Sequence, residues 1–303
     1  MFGRVETCLG ARLLHALMAL CLIGAAAPSH AGGRVFTGQS VASAALGRSL
    51  PYTAYLPEAA ADTSRHFPVL LLLHGKGDDE TAWLDKGGIR ATLDREIAAG
   101  AMKPLIVVMP GVGNSWYVDD ARPEGFGPVT RAILDELVPE MDRRFPTLGC
   151  SQARATGGLS MGGYGAVLYA VSRPDLFSAA FSLSGSLFSD DAADIESRRA
   201  AYGRIYDGVF GLPFDAQRFL DWNVFTRLNR GSAALDGLSF WLHAGDDDFP
   251  SILLGTVRFH QALRRKGIAS KLHVVEGGHS WEMWSRQVGP ALGWLSGRLK
   301  ERC

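Results

Sequence analysis

The stretch Gly158-Leu159-Ser160-Met161-Gly162-Gly163 decides how this chain of 303 residues folds. It has the pattern G-x-S-x-G followed by another glycine, with an apolar segment before it and the helix-compatible segment Ala166–Val171 after it. A strand, an abrupt turn and a helix in this order form a nucleophile elbow, in which the serine adopts a strained backbone conformation. The glycines leave room for the strand and the helix to pass close together. We therefore predict that Ser160 lies exposed above a sheet, at the positive end of the following helix.

Around this stretch, short apolar runs alternate with longer segments of helical period. Such alternation is typical of a mostly parallel central sheet with helices on both faces, which is an α/β fold. The run Pro68–His74 is continuously apolar and suits a buried central strand. Val129–Phe145 carries apolar residues at helical spacing instead. We expect strands at Leu50–Leu56, Pro68–His74, Leu105–Met109, Arg154–Gly157, Ala179–Leu183, Leu238–His243 and Lys271–Val275, and helices at Ile89–Ala98, Val129–Phe145 and Trp284–Leu299.

Residues 1–31 have the features of a secretory signal peptide. Arg4 and Arg12 precede the apolar stretch Leu13–Ala27, and Ser29-His30-Ala31 offers small residues at the −3 and −1 positions of a cleavage site. The apolar stretch is short for a membrane span. We therefore expect a secreted or periplasmic protein with no stable membrane insertion once the signal is removed. The alternatives are a retained N-terminal anchor and an over-extended gene start.

Residues 32–303 are long enough for a single catalytic α/β domain with a well-buried sheet. The chain balances 31 Lys and Arg against 31 Asp and Glu, so nothing in its charge points to a nucleic-acid partner. Of its 4 cysteines, Cys150 and Cys303 lie outside the signal segment. They could pair in an oxidising compartment, although the sequence leaves open whether their Cα atoms come close enough.

The segment 186–234 interrupts the alternation of strands and helices. It is a possible cap or insertion that covers the mouth of the site with aromatic side chains, or else an excursion whose aromatics simply pack it onto the domain. The side chains in question are Tyr202, Tyr206, Phe210, Phe214, Phe219 and Trp222.

Two later strand ends carry the acid and the base that an activated serine needs. The strand ending at His243 leads into a cluster of aspartates, Asp246 to Asp248, and the strand ending at Val275 leads into the glycine-rich loop that holds His279. The chain has 36 glycines, so the G-x-S-x-G pattern alone is unspecific, and these partners give it weight. We expect His243 to be a core residue. The same holds for His273, while His260 is expected at the surface.

At these positions the chain resembles the esterase family of α/β-hydrolases, which includes S-formylglutathione hydrolases, feruloyl esterases, enterochelin esterases and mycolyltransferases. The resemblance extends from about Gly47 to Leu299. It implies the α/β-hydrolase fold and identifies the family, but no single substrate. The resemblance rests on five segments, which are Leu71-Leu72-Leu73-His74-Gly75, Val108-Met109-Pro110, the stretch 158–163, Gly245-x-x-Asp248-Phe249 and Gly278-His279-Ser280-Trp281.

The resemblance implies a role for each residue of the site. The family acid stands three residues after the glycine, which selects Asp248, with Asp247 as the alternative, and His279 is the base. The oxyanion hole is expected to consist of the backbone amides of Met161 and Lys76. His74 is expected to support the early loop rather than take part in catalysis.

The loop Gly111–Tyr117 resembles the family stretch that lines the substrate cleft. We expect Asn114, Trp116 and Tyr117 to contact substrate, together with Trp281. The alternative for Trp116 and Tyr117 is that they pack a long loop. The family has an aspartate where this chain has Gly111, so the loop does not identify the substrate.

The sequence contains no H-E-x-x-H, no cysteine pair at zinc spacing and no Walker or dinucleotide glycine loop, so we predict no metal and no cofactor. The resulting expectation is a secreted serine hydrolase of carboxylic esters that acts through an acyl-enzyme on a small-molecule or glycan-linked ester. Three alternatives remain. They are an acyltransferase to a sugar hydroxyl, an S-formylglutathione-type thioesterase, which suits a signal peptide poorly, and a non-catalytic binding protein of the same fold.

Overall fold

A sheet of eight strands runs through the computed structural model, which describes residues 32–120, 122–231 and 235–303. The predicted signal peptide, residues 1–31, lies outside the described residues. The strands are β1 (Arg34–Ser43), β2 (Arg48–Leu56), β3 (Val69–Leu73), β4 (Ile106–Pro110), β5 (Arg154–Leu159), β6 (Ala179–Leu183), β7 (Ser239–Gly245) and β8 (Ala269–Val275). Their spatial order is β1-β2-β4-β3-β5-β6-β7-β8. Strands β3 to β8 pair in parallel, and β1 and β2 form an antiparallel edge beside β4.

Helices connect the strands. They are α1 (Ala82–Asp85), α2 (Ile89–Ala98), α3 (Val129–Arg131), α4 (Val138–Arg144), α5 (Met161–Ser172), α6 (Ala192–Ile205), α7 (Ala216–Trp222), α8 (Val224–Arg230), α9 (Pro250–Arg265) and α10 (Trp281–Ser296). A π-helical segment, Ala132–Leu137, joins α3 to α4, so the predicted helix over 129–145 exists but is wider in its middle. The wide turn ends just before Pro139, which lacks the N–H that a regular helix would use there.

Both faces of the sheet are covered by helices. Along β3, Val69, Leu71 and Leu73 enter the core shared with α5 and α9, whereas Leu70 and Leu72 enter the core shared with α2 and α10. A strand buried on both faces needs apolar residues at every position, which explains the uninterrupted run in the sequence. The predicted α/β class, with a mostly parallel central sheet and helices on both faces, is confirmed.

The structure differs from the prediction at the last helix and at the first strand. The last helix begins at Trp281, three residues before the predicted Trp284, because Ser280 caps it by accepting a hydrogen bond from the Met283 amide through its side chain. Strand β1 was not predicted. It is an edge strand whose residues are largely exposed, so it lacks the apolar run that marked the other strands.

The segment between β6 and β7 forms three helices, α6 to α8. Most of the aromatic rings of this segment pack on one another, which favours the interpretation of an excursion whose aromatics pack it onto the domain. Tyr206, for example, lies 4.7 Å from Phe210 and 5.6 Å from Phe219 between ring centroids. These buried rings belong to the core that the sheet shares with α5 and α9, and their burial fastens the segment to the domain.

Residues Gly32–Cys303 form one compact unit. Cys150 and Cys303 are joined by a disulfide, with their Cα atoms 6.2 Å apart. The bond fastens the end of the chain to the loop that precedes β5.

In the described ranges, the helices are all too short or too polar to traverse a lipid bilayer.

Candidate active site

Ser160 occupies a sharp turn between β5 and α5. Its backbone has φ 51° and ψ −118°, a combination that residues with a side chain rarely adopt. Two glycines make the turn possible. A Cβ on Gly158 would lie 2.5 Å from the carbonyl oxygen of Gly162, and one on Gly162 would lie 2.4 Å from that of Leu73. The turn therefore carries the predicted features of a nucleophile elbow, with Ser160 at the carboxyl end of the sheet.

His279 and Asp248 meet Ser160 at this end of the sheet. The loops after β7 and β8 carry them, and parallel neighbouring strands deliver such loops to the same edge. His279 Nε2 lies 2.9 Å from Ser160 Oγ, and His279 Nδ1 lies 2.9 Å from Asp248 Oδ1. The carboxylate of Asp248 is fully buried and also accepts a hydrogen bond from the Phe249 amide. A serine, an imidazole and a carboxylate are thus connected in the order that nucleophilic catalysis uses.

The neighbouring aspartates do not approach the imidazole in the same way. Asp247, the alternative acid, is exposed. Asp246 accepts a hydrogen bond from the Gly277 amide at 3.0 Å, so it ties the acid loop to the histidine loop. Of the three aspartates, it is Asp248 that contacts His279.

The loop after β3 lies directly beside the nucleophile. A Cβ on Gly75 would stand 3.8 Å from the Cβ of Ser160, and Lys76 lines the same cavity as Ser160. Met161 is the first residue of α5, so its amide has no acceptor within that helix. The role of the Met161 and Lys76 amides as the oxyanion hole stays a prediction.

His74 and Tyr117 support this loop from below. His74 is buried, and its Nε2 accepts a hydrogen bond from the Val112 amide while its Nδ1 contacts the carbonyl oxygen of Gly75 at 2.8 Å. Burial lowers the pKa of His74, which keeps the ring neutral. Tyr117 is fully buried and donates its hydroxyl to the carbonyl oxygen of His74. The structure thus corrects the expectation that Tyr117 contacts substrate, because its ring packs beneath the loop rather than on the cavity.

Asn114 lines the same cavity as Ser160, and its side chain also holds the loop after β3. Its Oδ1 accepts a hydrogen bond from the Gly77 amide at 2.7 Å, and its Nδ2 donates to Asp207 at 3.3 Å. Asp207 in turn pairs with Lys76 Nζ at 2.9 Å, and the same ammonium donates to the carbonyl oxygen of Ile205. No sequence pattern pointed to Asp207 as a residue of the site. The dipeptide Asp207-Gly208 predicts a turn, but it does not show that this turn would contact Asn114 and Lys76.

A cavity of about 950 Å³ opens beside Ser160 and His279. This volume is at the upper end of the range of small-molecule sites. Phe249, which is 62% exposed, stands at its rim. The apolar lining consists of Trp116, Leu159, Phe188, Ile205, Phe249, Ile252, Trp281 and Trp284, and the other polar lining residues include Lys76, Asp78, Lys86, Asn114, Ser186 and Ser251.

Trp281 and Trp284 form one wall of the cavity. They lie one helical turn apart at the start of α10 and pack edge to face, with ring centroids 5.7 Å apart. Trp83 supports Trp281 from behind at 5.1 Å. Trp116 also lines the cavity, and it is buried against Tyr206 at 4.5 Å, so it both packs and faces the cavity. Three of the four predicted substrate contacts, excluding Tyr117, therefore lie on the cavity.

The other histidines are separate from this site. His243 is buried, as expected, and burial lowers its pKa to about 4. His273 is half-buried rather than a core residue and stacks on Trp241, while His260 is half-buried and contacts Ser270. Within the described ranges, no group of three or more His, Cys, Asp or Glu side chains is arranged to bind a metal ion.

Comparison with known proteins gives a match to a family model described as "Putative esterase", over residues 43–295. An endo-1,4-beta-xylanase/feruloyl esterase of Xylanibacter ruminicola is 33% identical over 151 residues, which is 48% of this chain and 21% of that protein. An esterase of Mycobacterium tuberculosis is 29% identical over 256 residues, which is 78% of this chain and 54% of that protein. The chain thus spans about half or less of the length of these two relatives.

Among solved structures, a ferulic acid esterase superposes with a TM-score of 0.74 at 24% identity, covering 88% of this chain and 99% of that one. At this identity the likeness is one of fold, and it confirms the predicted α/β-hydrolase architecture. The family match spans most of the described residues, from β1 to α10. The chain therefore belongs to the esterase family of α/β-hydrolases.

Proposed function

We propose that this protein is an exported serine hydrolase of carboxylic esters that works through an acyl-enzyme. The observation that carries the proposal is the pair of hydrogen bonds, each 2.9 Å long, that link Asp248 through His279 to the Ser160 hydroxyl. Family membership supports the ester as the bond that is cleaved.

In the first half of the reaction, Ser160 Oγ attacks the ester carbonyl while His279 Nε2 takes its proton. Asp248 holds the other ring nitrogen in place and stabilises the positive charge that develops on the imidazole. The amides of Met161 and Lys76 donate to the oxyanion, and losing one such donor typically costs ~2.7–4 kcal/mol of barrier. The C–O bond to the alcohol then breaks, and His279 returns the proton to the departing oxygen. This leaves the acyl group on Ser160.

In the second half, a water molecule takes the place of the alcohol. His279 removes a proton from this water as it attacks the acyl carbonyl, and the same two amides receive the oxyanion. The bond to Ser160 Oγ breaks, the serine regains its proton and the carboxylic acid leaves. A sugar hydroxyl in place of water would make the protein an acyltransferase.

The cavity wall supports a substrate with a bulky apolar acyl group. Phe249, Trp281 and Trp284 offer aromatic faces next to Ser160, on which a flat ring or a long chain would lose its contact with water. One relative is called a feruloyl esterase and one solved structure a ferulic acid esterase. As part of the proposal, we expect that this protein also accepts esters with an aromatic acyl group.

Export is supported by the signal-like residues 1–31 and by the disulfide between Cys150 and Cys303, because disulfides persist in oxidising compartments. The test is the mass of the protein recovered from the periplasm or the medium. We expect a mature chain that begins after Ala31. A chain that keeps residues 1–31 and stays in the cytoplasm would refute export.

The catalytic proposal is tested by labelling the purified protein with a fluorophosphonate, followed by peptide mapping. We expect one adduct, on Ser160, and none in His279→Ala. Ser251→Ala, which removes another serine of the cavity wall, should keep the adduct. Ser160→Ala should stay folded and lose ester hydrolysis almost completely. A Ser160→Ala variant that hydrolyses esters at the parental rate would overturn the mechanism, and product analysis with sugar acceptors would separate hydrolysis from transfer.

A further inference from the structure

Ser184 directly follows β6 and has an unusual backbone conformation. Its φ is 50°, in the left-handed region that residues other than glycine seldom occupy, and it is completely buried. Its amide donates a hydrogen bond of 2.8 Å to the carbonyl oxygen of His243. This conformation turns the hydroxyl towards α10, where it accepts a hydrogen bond of 3.1 Å from Trp284 Nε1.

Trp284 connects this hydroxyl to the histidine of the site. Its ring meets the imidazole of His279 nearly at right angles, at 89°, with the ring centroids 4.8 Å apart. Trp281 also packs edge to face with this indole, with the ring centroids 5.7 Å apart. The Trp284 side chain is almost entirely buried, and a buried indole N–H needs an acceptor. The Ser184 hydroxyl is that acceptor.

The residues that flank Ser184 also hold the nucleophile. The Ser160 amide donates to the carbonyl oxygen of Leu183 at 2.9 Å, and the Ser186 amide donates to the carbonyl oxygen of Ser160 at 3.3 Å. One short segment therefore holds the backbone of the nucleophile and, through Trp284, supports the ring of the base. A displacement of either would alter the distance between Ser160 Oγ and His279 Nε2.

We propose that Ser184 is a positioning residue, which fixes Trp284 through its hydroxyl and thereby sets the orientation of His279 towards Ser160. This inference rests on the proposed function. Ser184 does not touch the reacting atoms. Without the Ser184 hydroxyl, the Trp284 indole loses its hydrogen-bond acceptor. The indole can then shift, and the His279 imidazole that packs against it shifts with it. Ser184 itself does not line the cavity, so we expect a misplaced base to cost mainly rate and little substrate affinity.

The test compares two substitutions of Ser184 in the purified protein, with a soluble aryl ester as substrate. Ser184→Ala keeps a side chain at positive φ and removes the hydroxyl, whereas Ser184→Gly removes the hydroxyl and relieves the backbone conformation. If the hydroxyl matters, both variants should lose kcat by a similar factor, roughly 10- to 100-fold, with KM changed by less than about twofold. Recovery of kcat in Ser184→Gly would show that backbone conformation, not the hydroxyl, controls the rate, and would overturn the proposal.

If Ser184 variants do not fold, Trp284→Phe alone still tests the hydrogen bond and should lower kcat by a similar factor, and where they fold a double variant tests the coupling. Trp284→Phe breaks the same hydrogen bond from the other side. The double variant Ser184→Ala/Trp284→Phe should therefore be no slower than Trp284→Phe alone. Losses that multiply in the double variant would refute the coupling. The matched control is Ser182→Ala in β6. Its buried hydroxyl makes no hydrogen bond with any described residue, so its removal should leave kcat unchanged.

The rate of fluorophosphonate labelling separates failure of this proposal from failure of the proposed function. In the wild type, absence of an adduct on Ser160 would refute the proposed function as a whole. An adduct that forms in the wild type and at the same rate in Ser184→Ala would refute the positioning role alone. We expect labelling of Ser160 in both proteins, slower in Ser184→Ala by the same factor as kcat.

Discussion

Removing the side chain of Asn114 should slow catalysis rather than weaken substrate binding. In the structure, Asn114 Oδ1 accepts the hydrogen bond of the Gly77 amide at 2.7 Å, next to the Lys76 amide that we assign to the oxyanion hole. Asn114→Ala leaves that part of the loop free to turn. The substitution therefore tests whether Asn114 serves the loop, as the geometry indicates, or the substrate, as the sequence suggested.

The size of the effect lies between two limits. The hydrogen bond itself is worth about 1 kcal/mol, and complete loss of one oxyanion donor costs ~2.7–4 kcal/mol. The loop keeps a second attachment, since Lys76 Nζ still contacts Asp207 and the carbonyl oxygen of Ile205. We therefore expect a cost of about 1.5–2.5 kcal/mol, which is a fall in kcat of roughly 10- to 70-fold.

The assay is steady-state hydrolysis of an acetyl and a bulky aryl ester, with fluorophosphonate labelling as a measure of the first half-reaction. The matched control is Asp207→Asn, which removes the charge from an ion pair whose two side chains are each 36% exposed and keeps a side-chain oxygen that can accept from Asn114. Such a pair is worth at most about 1 kcal/mol, so kcat should fall about fivefold or less. A rise in KM for the bulky ester, with kcat and the labelling rate of Asn114→Ala unchanged, would refute the reasoning.

Three further predictions concern the acid, a buried histidine and the disulfide. Asp248→Asn should lower kcat by roughly 10³–10⁴-fold, while Asp247→Asn should change it by less than about twofold; similar losses in both would contradict the assignment of the acid. Because burial lowers the pKa of His243 to about 4, the unfolded chain takes up a proton near pH 6.5 that the folded chain does not. The free energy of unfolding should therefore fall as the pH drops from about 6.5 to 4, by up to about 3 kcal/mol from this residue. Urea unfolding at a series of pH values measures this dependence, and His243→Phe should reduce it. An equal dependence on pH in the variant would exclude His243 as its cause. Replacing Cys150 and Cys303 by serine opens a loop with a sequence separation of 153 residues and should cost about 2–5 kcal/mol of unfolding free energy, which an unchanged urea midpoint in the variant would contradict.

The sequence predicted the parts of the fold in which burial is uniform. Strands β3 and β4 are apolar at every position because helices cover both of their faces, and that signal is local. Ser160, Asp248 and His279 could be placed on one edge because each follows a segment of strand length in a chain that alternates strands and helices. Strand β1 escaped prediction for the opposite reason, since an exposed edge strand has no continuous apolar run.

The details of the site depend on contacts that no local pattern encodes. Trp116 and Tyr117 both have positive φ, at 55° and 58°, and this conformation leaves one ring on the cavity and buries the other beneath the loop. The sequence cannot show which of two adjacent aromatics faces inwards when the backbone leaves its common regions. Asp207 meets Lys76 from a distant insertion, and the acceptor role of Ser184 depends on a helix 100 residues further along.

The disulfide also determines what happens to the protein when a protease cuts it. The bond between Cys150 and Cys303 closes a covalent ring that contains Ser160, Asp248 and His279. Lys76 and Asn114 precede Cys150 and therefore lie outside this ring. A single cut within the ring, for instance in the segment between β6 and β7, gives two fragments that stay joined through the sulfur atoms. The nicked protein would migrate as one species until a reductant is added, and the three side chains of the site would remain in one molecule.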